Sequence, residues 1–269
     1  MSNHRAIIKE IFYKTRIVQV LDFFLYQIAW LRNRKKNYRF RKTHPDLIIP
    51  PDYFLYETYK LDYKRFFKGG EYSAKKIIEW TKKYFEQEPK RILDWGCGVS
   101  RVVIHIDKNT NQPLLHACDI NEQMIMFNKK HYTNISYSLI NYNPPTNYED
   151  EYFDLVYGFS IFTHIEGHIQ EEWIKEIHRI LNRRGIFIFT THGRFFYSKL
   201  LRAEKDTFNK KGVFTKAYRQ KGHRMMSTYN QPNNFKKIVE KYFEILEFHD
   251  GELEYEKIGG QDLWIVKKQ

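Results

Sequence analysis

Apolar and polar residues follow one another along the chain in blocks that predict an α/β domain. From residue 70 onward, short apolar runs of strand length alternate with amphipathic stretches of helical period. This alternation favours a doubly wound sheet with helices on both faces. The predicted strands are 91–95, 114–118, 135–140, 153–159, 186–191, 243–248 and 262–266, and the predicted helices are 71–85, 99–107, 121–131, 169–181 and 233–242.

The first 42 residues have a different pattern, in which a helical apolar segment is followed by a basic cluster. Apolar residues recur at helical spacing from Ile7 to Ile28, and Lys or Arg dominates residues 32–42. The apolar stretch Val20 to Leu31 is interrupted by Asp22 and Gln27, and it is too short to span a bilayer. Residues 1–42 hold eleven basic and two acidic residues, a balance of +9 within a total of +13.

Three roles remain open for this basic arm. The favoured one is packing, either against the body of the protein or against a second subunit in a homodimer. The next is peripheral contact of residues 5–42 with an anionic membrane surface, since apolar side chains and adjacent cations suit the lipid interface. Contact with nucleic acid through phosphate groups is the least favoured.

The segment between the arm and the α/β domain is rich in tyrosine. Tyr56, Tyr59 and Tyr63 have the i, i+3, i+7 spacing of one helical face. They are either core residues with bonded hydroxyls or substrate-binding residues on a lid over the acceptor pocket. We expect Gly69-Gly70 to end this cap, which gives an N-terminal region of residues 1–69 and a main domain of residues 70–269. Residues 194–230, aromatic and basic without a clear period, are interpreted as an insertion that shapes substrate choice.

The chemistry is concentrated in residues 91–101, where a buried strand breaks into a glycine turn. Asp94 ends the apolar run, and Gly96 and Gly98 follow, so a ligand can lie directly against the backbone. The helix behind the turn offers free N–H groups. The next strand ends in Asp119, at the place where a doubly wound sheet holds ribose hydroxyls. These features predict a nucleoside-containing cofactor.

The details of the turn argue against a dinucleotide. The third glycine of the dinucleotide fingerprint is replaced by Arg101, and Asp94 would repel a diphosphate. A cofactor with a sulfonium and an ammonium group suits this acid better.

With an acid followed by G-x-G in RILDWGCGVSR, the chain resembles the class I S-adenosylmethionine-dependent methyltransferases (type 11, 12 or 25-like). The resemblance continues in order through FDLVYGF, SIFTHI and WIKEIHRILNRRGIFIFTTHG and covers roughly residues 70–268. Ser100 stands where many members have a third glycine.

The resemblance implies a Rossmann-like seven-stranded sheet, mostly parallel with an antiparallel last strand, preceded here by the helical arm and cap. It also implies S-adenosylmethionine as cofactor. The cofactor-binding residues carried over are Asp94, Trp95, Gly96, Cys97, Gly98, Asp119, Ile120, Asn141 and Phe159.

The expected reaction is in-line transfer of the sulfonium methyl to an acceptor, in which the protein mainly positions the reactants. A hydroxyl acceptor also benefits from a base, and His164 and His192 follow the fourth and fifth strands at the ligand-binding edge of the sheet. The alternative is that each histidine only bonds a neighbouring loop. We expect no catalytic metal, because the sequence has no cluster of ligands at metal-binding spacing.

The acceptor is expected to be a small molecule or a saccharide, including a lipid-linked one, because the chain looks similar to bacterial methyltransferases of cell-surface polysaccharide and secondary pathways. The alternatives are an RNA or protein methyltransferase anchored by the basic arm, and a cofactor-binding protein without turnover. The Asn-Pro-Pro-Thr at residues 143–146 lacks the aromatic residue that would stack on a flipped base. The lack of a secretory signal and two cysteines, Cys97 and Cys118, expected to be reduced, favour the cytoplasm, with the inner membrane face as an additional site.

Overall fold

The computed structural model describes residues 17–106, 113–216, 221–222, 226–254 and 259–269. The chain divides into two compact units, Met1–Ser73 and Ala74–Gln269. The apolar residues predicted to be helical between Ile7 and Phe12 lie outside the described residues.

The N-terminal unit is helical. Helix α1 spans Ile17–Thr43, helix α2 spans Asp52–Tyr59, and helix α3 begins at Tyr63 and ends at Tyr84. The predicted apolar segment and the basic cluster therefore form one continuous 27-residue helix. Within the described part of the chain, no helix has the length and the apolar content that crossing a membrane requires.

The structure corrects the prediction for the tyrosine segment. Tyr56, Tyr59 and Tyr63 do not share a helical face, because Lys60 and Leu61 have φ of 50° and 63° and separate α2 from α3. Gly69 and Gly70 lie inside α3 and do not end the cap. A Cβ at position 69 would lie 2.6 Å from the hydroxyl of Tyr59, so a larger residue there would displace that side chain.

A seven-stranded sheet forms the centre of the second unit. Its strands are β1 Arg91–Trp95, β2 Leu114–Asp119, β3 Ser136–Leu139, β4 Phe153–Gly158, β5 Leu181–Thr191, β8 Phe243–His249 and β9 Asp262–Lys268. The strand order is β3-β2-β1-β4-β5-β9-β8, in which β1 to β5 are parallel and β9 runs antiparallel to both β5 and β8. This confirms the predicted mostly parallel sheet with an antiparallel last strand.

Helices cover both faces of the sheet and create two cores. Successive side chains of a strand point to opposite faces, so Leu93 and Trp95 belong to one core and Ile92 to the other. The first core includes residues of helix α6 (Gln170–Ile180), and the second includes residues of helix α3 and of helix α5 (Glu122–His131). The helices after α3 are α4 Val103–Ile106, α5 Glu122–His131, α6 Gln170–Ile180, α7 Arg202–Lys211 and α8 Pro232–Val239.

The segment 194–230, in which the sequence shows no clear period, contains regular structure. A 3₁₀ turn at Arg194–Lys199 leads to helix α7 and then to the two antiparallel strands β6 Val213–Lys216 and β7 Ser227–Asn230. Strand β7 returns to the main sheet at Tyr229, which forms a parallel bridge with His192 at the end of β5.

Candidate active site

The turn after β1 is held tightly against β2. The N–H groups of Gly96 and Cys97 donate to the carbonyl of Cys118 at 2.8 and 3.0 Å. Gly96 and Gly98 have φ of +78° and +53°, which glycine adopts without steric cost. A Cβ on Gly96 would also overlap the side chain of Ile161. The glycine at position 96 is therefore needed for conformation and for space.

Asp119, at the end of β2, is oriented by the backbone around it. Its two carboxylate oxygens accept the N–H of Gly98 at 2.9 Å and the N–H of Asn121 at 2.8 Å. Asn121 caps helix α5 by accepting the N–H of Met124 at 3.2 Å. The Asp119 carboxylate is therefore held in a fixed orientation at the edge of the sheet.

Buried side chains support the turn from behind. The Asn128 side chain on α5 donates to the carbonyl of Gly98 at 2.7 Å. Ser100 has φ of 62°, and its hydroxyl is hydrogen-bonded to that of Tyr137 at 2.7 Å. A serine therefore occupies the position of the family's third glycine in a left-handed conformation, with its hydroxyl satisfied.

The acid at the end of β1 is buried. Burial raises the pKa of the Asp94 carboxyl to about 7, and the nearby charge of Asp119 acts in the same direction, whereas the charge of Arg101 lowers it. The two predicted acids thus lie close enough to influence each other. Because a buried anion is unfavourable without a counter-charge, the position of Asp94 suits a cationic ligand.

A cleft opens at this edge of the sheet, and its volume is about 450 Å³ when the open solvent at its mouth is included. Its walls are mostly apolar, and its polar side chains include Asp119 and His164. The lining residues are Trp95, Gly96, Asp119, Ile120, Ile140, Tyr142, Ile161, His164, Ile165, Trp173 and Gly222.

His164 is fixed in one tautomer by its partner. Its Nδ1 lies 2.6 Å from the carbonyl oxygen of Met226. A carbonyl only accepts hydrogen bonds, so Nδ1 must carry the proton. In the neutral ring, Nε2 is therefore the nitrogen without a proton, as the role of a base requires. The sequence did not reveal this partner, because Met226 lies 62 residues away along the chain.

His192 lies near His164 but has a different environment. Its ring packs against Phe196 and Tyr229, with centroid distances of 4.1 and 5.5 Å. Burial lowers the pKa of His192 to about 3, and the charges of His164 and Lys199 act in the same direction. The imidazole is therefore neutral at ordinary pH. Among the described residues, its buried Nδ1 has no hydrogen-bond partner.

A polar network joins the ends of three strands beside the histidines. Ser160 follows β4, Thr190 lies near the end of β5, and Gln261 precedes β9. The Gln261 carbonyl oxygen accepts the hydroxyl of Thr190 at 2.5 Å, and its amide nitrogen donates to the hydroxyl of Ser160 at 2.7 Å. Residues late in the sequence thus stabilise the same edge of the sheet.

The structure distributes the predicted cofactor residues between the lining of the cleft and its support. The ones that line it are Trp95, Gly96, Asp119 and Ile120. Asp94, Cys97 and Gly98 do not line it, and both cysteines are buried free thiols.

Two of the carried-over residues lie elsewhere. Asn141 is exposed, and its neighbours Ile140 and Tyr142 line the cleft instead. Phe159 packs against Tyr157 in the core on the other face of the sheet.

The predicted substrate tyrosines make their contacts within the N-terminal unit. Tyr56 and Tyr63 are buried, and their hydroxyls donate to Asp22 at 2.9 Å and to Asp52 at 2.5 Å. Burial raises the pKa of Tyr63 to about 12, with Asp52 acting in the same direction. Tyr59 is half-buried and lies against Gly69. These contacts match the structural interpretation of the tyrosines, as residues with bonded hydroxyls.

Several lining residues were not predicted. Tyr142 is positioned by two bonds: its hydroxyl accepts the N–H of Glu166 at 3.0 Å, and its carbonyl accepts the indole N–H of Trp173 at 3.1 Å. Ile161 and Ile165 lie in the segment SIFTHI, whose resemblance to the family was the available signal. Gly222 comes from the 194–230 segment, and no pattern in the sequence indicates its position. In the described ranges, no three His, Cys, Asp or Glu side chains are grouped as a metal site.

Comparison with known proteins agrees with this geometry. A family model described as a methyltransferase domain matches residues 92–185, which include the glycine turn, Asp119 and His164. No curated protein sequence matches the chain significantly.

Solved structures share the fold. A S-adenosylmethionine-dependent methyltransferase from Methanosarcina mazei superposes with a TM-score of 0.56 at 19% identity, over 71% of this chain and 96% of that one. A candidate S-adenosylmethionine-dependent methyltransferase from Listeria monocytogenes gives a TM-score of 0.55 at 17% identity, over 75% of this chain and 99% of that one. At these identities the likeness establishes the fold. Residues 92–185 are therefore similar to a methyltransferase domain, and the chain shares the fold of S-adenosylmethionine-dependent methyltransferases of known structure.

Proposed function

We propose that the protein transfers the methyl group of S-adenosylmethionine to a hydroxyl group of a small molecule or a saccharide, with His164 as the general base. The observation that carries this proposal is that one cleft brings together Gly96, Asp119 and His164. The first two suit the cofactor, and the third suits an acceptor.

The residues of the cleft fit this cofactor. Asp119 lines the cleft at the end of β2, where its carboxylate suits ribose hydroxyls, and the apolar side chains of Ile120 and Ile140 offer a surface for the adenine ring. Asp94 provides a buried carboxyl group close to Asp119, and a cationic ligand would favour its charged form. S-adenosylmethionine supplies a methyl group already activated by the sulfonium, so the chain must mainly position the reactants and exclude water.

Of the two predicted catalytic histidines, His164 suits the role of base. A base is effective when its pKa is near the working pH. The pKa of His192, lowered to about 3, makes its neutral ring a weak base. His164 lines the cleft, and its Nε2 is left unprotonated because Nδ1 donates to Met226. We therefore assign proton removal to His164. To His192 we assign a packing role against the aromatic side chains of Phe196 and Tyr229.

This base also indicates the class of acceptor. A hydroxyl loses its proton when it is methylated, so an imidazole that lines the cleft favours O-methyl transfer. The mostly apolar cleft with few polar groups is typical of a small-ligand site. The saccharide is the more specific expectation and rests on the sequence resemblance alone.

The test uses the cofactor with a labelled methyl group and separate pools of phenols, saccharides, RNA and protein as acceptors. We expect the label in the phenol or saccharide pool. We expect His164→Gln to lower turnover about a hundredfold or more, as the loss of a general base does, and to leave the calorimetric affinity for the cofactor unchanged.

His168→Gln is the matched control, because His168 is exposed and lies four residues away without lining the cleft. It should behave as the wild type. Label in RNA or protein would overturn the acceptor class, and normal turnover in His164→Gln would overturn the role of the base. Cofactor binding without transfer to any pool would leave the chain as a binding protein.

A further inference from the structure

Helix α1 exposes a large apolar surface in its first half. Between residues 20 and 31 its outward side chains are 43–57% exposed: Val20, Leu21, Phe23, Phe24, Ile28 and Leu31. Scattered exposed apolar residues are normal, but contiguous apolar patches of this kind mark an interaction site. These residues form such a patch, since positions 20, 24, 28 and 31 are separated by four, four and three residues and so lie on one side of the helix.

The opposite side of α1 is already used within the N-terminal unit. Tyr26 packs edge-on against Tyr53 and Tyr56, and Phe40 stacks on Phe67 with a centroid distance of 5.6 Å. Asp22, the one acidic residue of α1, lies on this inner side and accepts the hydroxyl of Tyr56 at 2.9 Å. The outward side of the helix therefore carries no acidic side chain.

In the second half of α1, basic side chains continue along the same side of the helix as the apolar patch. Lys35, Arg39 and Lys42 follow Leu31 at spacings of four, four and three residues, and all three are exposed. The helix holds seven basic residues and one acidic residue. Lys36 is paired with Asp62 at 2.9 Å, whereas in the described ranges no acidic side chain pairs with Lys35 or Arg39.

We propose that α1 docks the protein peripherally on an anionic membrane surface. The apolar half suits the boundary between headgroups and acyl chains, and the cationic half suits anionic headgroups. Nucleic acid would use the cations and leave the apolar half in water. A second copy of α1 could cover the apolar half, but it would bring seven further basic residues to a helix that already has them. The inference does not depend on methyl transfer.

The test is co-sedimentation of the full chain at low ionic strength with two kinds of vesicle. One is pure phosphatidylcholine, and in the other a third of the lipid is phosphatidylglycerol. We expect partition onto the anionic vesicles only, and a decrease with added salt, since screening weakens charge attraction.

Two double variants test the apolar patch and the basic residues of α1 separately. Phe23→Ser with Phe24→Ser removes apolar contact, and Lys35→Glu with Arg39→Glu reverses charge. Each pair should lower partition at least about tenfold, since each cation near an anionic surface contributes roughly a fivefold effect. The control pair Lys129→Glu with Lys130→Glu makes the same charge change at the exposed end of α5 and should leave partition unchanged.

The affected residues are exposed, so folding should be preserved, and circular dichroism checks this for each variant. Partition that survives both α1 pairs would overturn the proposal, and so would equal loss in the control pair. Doubling of the mass without vesicles, abolished by the phenylalanine pair, would assign α1 to a second copy. Binding of an RNA oligonucleotide without any vesicle binding would likewise overturn the membrane assignment.

Discussion

At the residue scale, the two glycines of the turn have different roles. Both have positive φ, which costs an L-residue roughly 1–2 kcal/mol. The two glycines differ in the room that a side chain would have. A Cβ on Gly96 would overlap Ile161, whereas a Cβ on Gly98 would meet only Met124 Sδ at 4.0 Å. The cleft lies directly beside Gly96.

We therefore expect Gly96→Ala to lower the free energy of unfolding by about 3 kcal/mol or more, from strain together with overpacking. It should also abolish measurable binding of S-adenosylmethionine. Gly98→Ala is the matched control and should cost about 1–2 kcal/mol, the conformational part alone. Urea unfolding and calorimetry measure both quantities. Equal losses in the two variants would contradict the role assigned to Ile161.

Asp94 gives the protein a pH dependence of known sign. Its pKa is raised from 3.8 to about 7 by burial. As pH rises from about 4 to 7, the unfolded chain loses this proton before the folded protein does, so the free energy of unfolding falls. The contribution is complete below the unfolded pKa and is lost once the pH passes the folded pKa.

Asp94→Asn stays neutral at every pH and should avoid this loss. Without cofactor, we expect the variant to match the wild type near pH 4 and to exceed its stability above pH 7 by roughly 2 to 4 kcal/mol, the value of a shift of this size. Urea unfolding across the pH range gives the difference in free energy of unfolding between the variant and the wild type. The contributions of all other titrating groups cancel in this difference. A difference that does not change with pH would refute the raised pKa.

At the element scale, the sequence predicted the sheet well and the cap poorly. Strands such as β1 and β4 are buried on both faces, so they are continuous apolar runs between turn residues and are easily recognised. Strand β6 is half-buried at all four positions. It therefore has no alternation of apolar and polar residues from which a strand could be predicted.

The break between α2 and α3 shows why spacing alone misled. Neither Lys60 nor Leu61 is a residue type that signals a left-handed conformation. The break is stabilised by Asn37 of α1, whose side chain donates to the carbonyl of Leu61 at 2.8 Å and accepts the N–H of Tyr63 at 3.3 Å. A contact across 24 residues decides the local structure, and a local pattern cannot reveal it.

At the candidate site too, local sequence patterns revealed some residues, whereas contacts between distant parts of the chain position others. Asp119 and Gly96 were predictable because their positions follow from the strand and turn that contain them. Tyr142 and Met226 were not, because their roles depend on partners far along the chain. Asn141 was chosen from a polar loop, and the neighbouring residues face the cleft instead.

At the scale of the whole molecule, cofactor binding must raise stability by linkage. A ligand at a hundred times its dissociation constant stabilises the folded state by about 2.7 kcal/mol. Asp119→Ala removes the carboxylate that we propose binds the ribose hydroxyls, a loss we expect to weaken binding tenfold or more. At the same cofactor concentration its stabilisation should therefore fall below about 1.4 kcal/mol.

Each variant is compared with and without cofactor by urea unfolding, so its own change in stability cancels. Glu122→Gln is the matched control, because Glu122 is exposed in the first turn of α5 and does not line the cleft. It should keep the full stabilisation. Full stabilisation in Asp119→Ala would exclude that carboxylate from cofactor binding.

The position of β9 has a consequence for synthesis on the ribosome. Of the described strands β9 is made last, yet it lies inside the sheet between β5 and β8. Until it emerges, the nascent protein presents β5 as an unpaired edge, the kind of surface on which chaperones act and aggregates start. Gln261, which joins the ends of β4 and β5, arrives at the same late moment. We therefore expect the growing chain to be inactive until β9 has emerged from the ribosome.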